Sequence, residues 1–136
     1  MILVDSSVWI NYFNGIDTWQ TELLDRFLTE VPIIMGDLIL TEVLQGFRDD
    51  QDFEQAKDCL NVLPFKQMGG YKIALKSAQN YRALRKNGIT VRKTIDIIIG
   101  TFCISENLSL LHDDKDFEPM IKLLSLRSVQ EYYNRK

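Results

Sequence analysis

One histidine and two cysteines are all that this 136-residue chain offers to soft-metal or imidazole chemistry. His112 alone cannot supply both partners of a two-histidine ribonuclease mechanism, and it rules out the histidine-rich zinc motifs within one chain. Cys59 and Cys103 stand 44 positions apart, a spacing that matches no metal-ligand motif. In a reducing compartment both are expected to be free, inert thiols. Long apolar runs are missing as well, so nothing is expected to span a membrane. The N-terminal MILVDSSVWI carries neither a basic n-region nor a small-residue cleavage site, which makes the cytoplasm the expected location. MGGYK has neither the spacing nor the Ser/Thr of a P-loop. Positive charge is not in excess either. With a net charge of −3 and a pI near 5.1, any nucleic-acid role must rest on a local basic patch or a metal ion.

What is present is an ordinary folding composition, 46% hydrophobic and 26% charged, long enough for one domain over residues 1–136 with a sizeable core. ILV before Asp5 is a short continuous apolar run, as in a strand buried on both faces. Ser6 or Ser7 is expected to cap a helix through Phe13, with NGID as the turn. Residues 17 to about 30 place Trp19, Leu23, Leu24, Phe27 and Leu28 at helical spacing behind Asp17 or Thr18 as cap. VPIIM predicts a second strand, Gly36 to Phe47 a helix, DDQDFEQAKDCLNVL a helix capped by Asp49 or Asp50, and PFKQM a weak strand. A long helix from about Tyr71 to Lys86 stops at Asn87–Gly88. TVRKTIDIIIGTFC reads as one further helical segment, LSLLH as a strand, DDKDFEPMIKLL as a loop with a short helix, and SLRSV as a last strand. Neither repeats nor a linker interrupt this alternation. Short buried strands alternating with helices predict an α/β layered domain around a mainly parallel sheet.

In TVRKTIDIIIGTFC almost everything after Lys93 is apolar except Asp96. A helix hydrophobic nearly all round belongs in an interior, and a buried aspartate needs a partner. Arg92 and Lys93 can pair with it, but the isoleucines at 95, 97, 98 and 99 leave little room for a solvated face. Open parallel sheets collect ligands outside the carboxyl ends of their strands. Asp5 follows the first strand there, and Asp113, Asp114 and Asp116 follow LSLLH. Each alone has an ordinary reading, Asp5 as a helix N-cap and DDKDF as a polar turn. Several acids on one rim, however, repel one another unless a cation sits among them. Hard oxygen donors without histidine or cysteine point to Mg²⁺ or Mn²⁺, so a metal is the expected partner of Asp96. Gly100, one turn on, leaves space for an ion, a substrate or a close helix contact. Glu42 lies off the apolar stripe of Ile39, Leu40, Val43, Leu44 and Phe47, and periodicity alone makes it a solvated surface residue.

Four stretches, MILVDSSVWI, ILTEVLQGF, VRKTIDIIIGTFC and LSLLHDDKDF, together resemble PIN-domain ribonucleases, and most of all the VapC-type toxins of bacterial toxin–antitoxin pairs. The resemblance runs over nearly the whole chain and in the right order. It implies a three-layer α/β/α domain whose acidic cluster binds Mg²⁺ or Mn²⁺ and cuts RNA endonucleolytically. By position, the resemblance assigns the acidic set to Asp5, Glu42, Asp96 and the DDKDF loop, with Asp114 facing the metal and Asp116 as a second member. Asp113 matches a position that is not usually acidic. Ser7 matches a hydroxyl that supports the site. On this reading Glu42 moves from the surface into the site. The resemblance further implies a VapB-like antitoxin whose C-terminal segment covers the acidic cleft, and a homodimer.

Mg²⁺ takes only one or two protein carboxylates directly, so Asp5 and Asp96 are the expected inner ligands, with Asp114 direct or through water. Glu42 and Asp116 would orient waters or hold a second ion. Arg82, Arg85, Lys86, Arg92 and Lys93 fall within twelve residues and form either a phosphate-gripping rim or an ordinary solvated face. Arg92, Lys93 and Lys115 are the candidate RNA contacts. Two other readings share the fold class: a phosphoacceptor receiver domain and an inactive binding module. A receiver needs adjacent acids after the first strand, whereas VDSS stands there and Asp37 comes too early for the phosphoacceptor.

Overall fold

The computed structural model describes residues 1–130; the tail from 131 onward lies outside it. Five parallel strands form the sheet: β1 (Ile2–Val4), β2 (Ile33–Gly36), β3 (Phe65–Lys66), β4 (Ser109–Leu111) and β5 (Arg127–Ser128), in the order β3-β2-β1-β4-β5. Around them lie α1 (Ser6–Phe13), α2 (Trp19–Glu30), α3 (Asp37–Leu44), α4 (Asp50–Leu60), α5 (Tyr71–Lys86), α6 (Thr94–Ser105) and α7 (Glu118–Leu123). A single 3₁₀ turn, Lys115–Phe117, precedes α7.

The apolar runs explain the sheet. Leu3, Val4, Ile33, Ile34, Met35, Leu110 and Leu111 are all buried, as strands covered on both faces require. The chain builds outward from β1 to β2 and β3, then returns to the other side of β1 for β4 and β5. The order therefore reverses between β1 and β4, and a switch point of this kind opens a crevice at the carboxyl ends of the strands. Val4 pairs with Leu111, so Asp5 and His112 leave the sheet side by side at that crevice.

The local signals were mostly decisive. Thr18 caps α2 in a reciprocal capping box with Thr21, and Asp49 caps α4 through the amides of Gln51 and Asp52. Three expectations need correction. The cap of α1 is Asp5, not Ser6 or Ser7, because the extended backbone at Asp5 aims its carboxylate at the Ser7 amide. The third helix spans Asp37–Leu44, shorter than Gly36 to Phe47. The segment carrying Asp96 begins at Thr94, because Lys93 is extended (φ −116°, ψ 122°) and holds TVRK outside the helix.

Gly100 is explained by packing. A Cβ there would come within 2.3 Å of Met120 Sδ, so the missing side chain admits α7 against α6 and leaves no room for an ion or substrate. Cys59 and Cys103 are free as expected, Cys59 exposed and Cys103 buried, and burial pushes the Cys103 thiol far above its ordinary value. Among the described residues no helix is long and apolar enough to cross a membrane.

Candidate active site

Asp5 is held from three directions. Its amide donates to Leu111 O at 2.9 Å, which ties it to β4. Its Oδ2 accepts from the Ser7 amide at 3.1 Å and from the Ser7 hydroxyl at 2.6 Å, while Oδ1 is buried with no hydrogen-bond partner among the described residues. The residue is 3% exposed, and this burial raises its carboxyl above the ordinary value, against the lowering effect of the Ser7 bonds. Asp114 raises it further. Helix capping and a place in the site are thus two uses of one carboxylate.

The loop after β4 is shaped by its own polar groups. Ser7 Oγ accepts from the Asp113 amide at 3.1 Å, so one hydroxyl bridges Asp5 to the loop. His112 Nδ1 accepts from the Asp114 amide at 3.3 Å, which places the neutral ring's proton on Nε2, and burial lowers the imidazole's pKa. The same ring packs against Phe117 at 5.2 Å between centroids. Asp114 Oδ1 then accepts from the Asp116 amide at 2.9 Å, starting the 3₁₀ turn that brings Asp116 round beside Asp114.

Asp96 enters from α6. It is 3% exposed, and among the described residues its Oδ2 has no hydrogen bond. Burial pushes its carboxyl up to about 7; Lys93 opposes the shift, while Asp114, Asp5 and Glu42 add to it. One carboxylate oxygen from each of Asp96, Asp114 and Asp116 lies within 4.8 Å of the others, the spacing of a set able to hold one cation. Asp5 stands outside that triplet. Lys93 Nζ is 3.6 Å from Asp96 Oδ2 and 3.3 Å from Asp114 Oδ2, and Arg92 Nη2 is 3.4 Å from Asp116 Oδ1.

Glu42 is half-buried rather than solvated. Its Oε1 accepts from the Ser6 hydroxyl at 2.9 Å, and burial raises its carboxyl, with Ser6 opposing and Asp5 and Asp114 adding. The periodicity reading failed because the off-stripe face of α3 turns toward α1 and the acids, not toward bulk water. Ser6 and His112 were overlooked as supports of the site. Ser6 had a signal, since DSS puts a second hydroxyl one residue from Ser7; a ring acceptor for a loop amide has none. Lys115 is exposed and forms no ion pair among the described residues. The proposed basic rim divides: Arg92 and Lys93 face the acids, whereas the Arg85 guanidinium lies 5.6 Å from the Tyr81 ring centroid and Arg82 lines an apolar groove between α5 and α6.

Comparison with known proteins gives the arrangement a context. The family model for the PIN domain matches residues 2–122. VapC ribonuclease Mb1587 of Mycobacterium bovis and ribonuclease VapC11 of Mycobacterium tuberculosis are each 30% identical to the chain over 131 residues, covering 95% of it and 98% of those proteins. Among solved structures, VapBC2 from Rickettsia felis, bound to a DNA fragment from its promoter, superposes with a TM-score of 0.75 at 16% identity, covering 95% of this chain and 98% of that one. VapBC-1 from nontypeable Haemophilus influenzae gives 0.73 at 17% identity, covering 97% and 99%. At such identities these structures speak for the fold alone.

Proposed function

Because the chain belongs to the PIN-domain family, in its VapC ribonuclease branch, we propose that it is a metal-dependent endoribonuclease, the toxin of a VapBC-like toxin–antitoxin pair. The observation that carries this reading is the convergence of the Asp96, Asp114 and Asp116 carboxylates, with Asp96 Oδ2 buried and without a hydrogen bond among the described residues. Five acids, counting Asp5 and Glu42, face two ion-paired cations at this cleft. That imbalance, the carboxyls raised above their ordinary values and the purely oxygen donor set all fit a hard divalent ion such as Mg²⁺ or Mn²⁺.

Asp96, Asp114 and Asp116 would hold the ion, with Asp5 Oδ1 as a further buried oxygen on the cleft. Asp116 then moves from a water-orienting role to that of a ligand. When bound, such an ion supplies an activated water and neutralises charge on the scissile phosphate. Ser7 fixes the Asp5 carboxylate and, through the Asp113 amide, the loop that carries Asp114. Ser6 fixes Glu42 by Oε1, which leaves Oε2 to orient a water or carry a proton. Arg92, Lys93 and the exposed Lys115 would meet the RNA backbone, the sequence-independent part of nucleic-acid binding. A VapB-like antitoxin covering the acidic cleft, a homodimer and a cytoplasmic location complete the reading. They are supported by the family membership and, for the antitoxin, by fold neighbours solved as VapBC complexes.

The test is incubation of the purified, antitoxin-free chain with total cellular RNA, with Mg²⁺ or with chelator. Discrete fragments that require the metal are expected. A folded chain that leaves RNA intact under both conditions would overturn the assignment.

A further inference from the structure

Lys93 occupies an unusual place for a half-exposed lysine. As the extended residue before α6 it is not committed to the helix surface, and its side chain folds back over the first turn. There the ammonium contacts two acids from different elements, Asp96 of α6 at 3.6 Å and Asp114 of the β4 loop at 3.3 Å. Both contacted oxygens, Asp96 Oδ2 and Asp114 Oδ2, belong to carboxylates of the metal-holding triplet. The Lys93 side chain is 55% exposed, against 4% for Asp96 and 22% for Asp114, so it lies on the solvent side of the pair and can leave without disturbing packing.

We propose that Lys93 is a built-in counter-cation of the acidic cluster, holding Asp96 and Asp114 together in the metal-free chain and competing with the divalent ion for the same carboxylates. The inference rests on the metal-site reading above. A strongly hydrated point charge on a flexible stem is suited to such a place-holder. It offsets the repulsion between the two carboxylates when no ion is there, and its own charge repels an arriving cation. Lys93 therefore sets metal affinity downward while stabilising the empty cleft, two effects of opposite sign on one residue. A lysine that only grips substrate would produce neither.

The experiment is Mn²⁺ titration by calorimetry or electron paramagnetic resonance on the wild type, Lys93→Met, Lys93→Gln, Lys115→Met and Asp96→Asn. Lys115 sits in the same loop as Asp114 but forms no ion pair among the described residues, so its variant controls for bulk charge. Exposed ion pairs are weak, so both Lys93 variants should bind Mn²⁺ about 3- to 10-fold tighter, with Lys115→Met within about twofold of wild type. Metal-free Lys93→Met should also melt below the wild type at pH 8 and gain more from added Mn²⁺. Unchanged or weaker Mn²⁺ binding in the Lys93 variants, or equal tightening in Lys115→Met, would overturn the inference. If wild-type binding is nonetheless present and lost in Asp96→Asn, the metal site itself stands. A wild type that takes up no Mn²⁺ at millimolar concentration would overturn both.

Discussion

The Ser6 hydroxyl donates to Glu42 Oε1 at 2.9 Å, joining the first turn of α1 to α3 across the acidic cleft. Glu42 reaches the site from α3, and this bond fixes its carboxyl. Ser6→Ala removes the donor and leaves a half-buried carboxyl to find another. The expected result is a loss of about 1 kcal/mol in stability and a fall in kcat with KM little changed, since Glu42 is assigned to the chemical step. Rescue by Ser6→Thr, which keeps the hydroxyl, would separate positioning from packing. A kcat indistinguishable from wild type in Ser6→Ala would remove Glu42 from the mechanism.

Ser7 has more to lose. Its hydroxyl donates to Asp5 Oδ2 at 2.6 Å and accepts from the Asp113 amide at 3.1 Å. Ser7→Ala therefore weakens both strand-end acids at once, at a cost of about 1–3 kcal/mol. Mn²⁺ affinity should fall with it, because the loop carrying Asp114 is released. Denaturant melts and metal titration on the same preparation check both halves.

Asp96 makes stability depend on pH in an unusual direction. Its carboxyl is raised from 3.8 to about 7 in the folded chain, so the unfolded state ionises first. Below about 3.8 both states hold the proton and the folded chain carries no penalty; as pH rises through that value toward about 7, stability is lost, by at most about 4 kcal/mol, and above about 7 the loss is complete. Asp96→Asn cannot ionise. Without metal it should melt several degrees higher than wild type at pH 8 and alike near pH 4. Added Mg²⁺ should raise the wild-type Tm but not that of the variant. A variant less stable than wild type at pH 8 without metal would contradict the assigned burial.

Gly100 offers a prediction about packing alone. Its Cβ would press on Met120, a side chain with no exposed surface, so Gly100→Ala should destabilise by about 1–3 kcal/mol. Combining it with Met120→Ala should recover part of that loss. Mn²⁺ affinity should change less than twofold in either case, whereas a collapse of metal binding in Gly100→Ala alone would return Gly100 to the site.

Much of this was legible in the sequence, for identifiable reasons. Buried strands announce themselves as ILV, VPIIM and LSLL, and the alternation with helices fixes a parallel sheet whose strand ends must carry Asp5 and the DDKDF acids. Asp96 stood out because four isoleucines leave it no solvent. Glu42 was not legible from periodicity, which tells the apolar stripe from its opposite face but not a cleft from bulk water; only the family resemblance placed it. The distances that group Asp96 with Asp114 and Asp116 and leave Asp5 apart were also beyond reach. They depend on a 3₁₀ turn started by the Asp114 side chain and on a histidine acceptor, neither of which has a spacing rule.

The central claim is that the buried Asp96 carboxylate and a divalent ion act together in cutting RNA. The most direct measurement crosses the two: wild type and Asp96→Asn, each with Mg²⁺ and with chelator, on one RNA preparation with fragment ends sequenced. Cleavage is expected only in wild type with Mg²⁺, with the folded variant slower by at least about a hundredfold. Metal-dependent cleavage at an undiminished rate by Asp96→Asn would contradict the account.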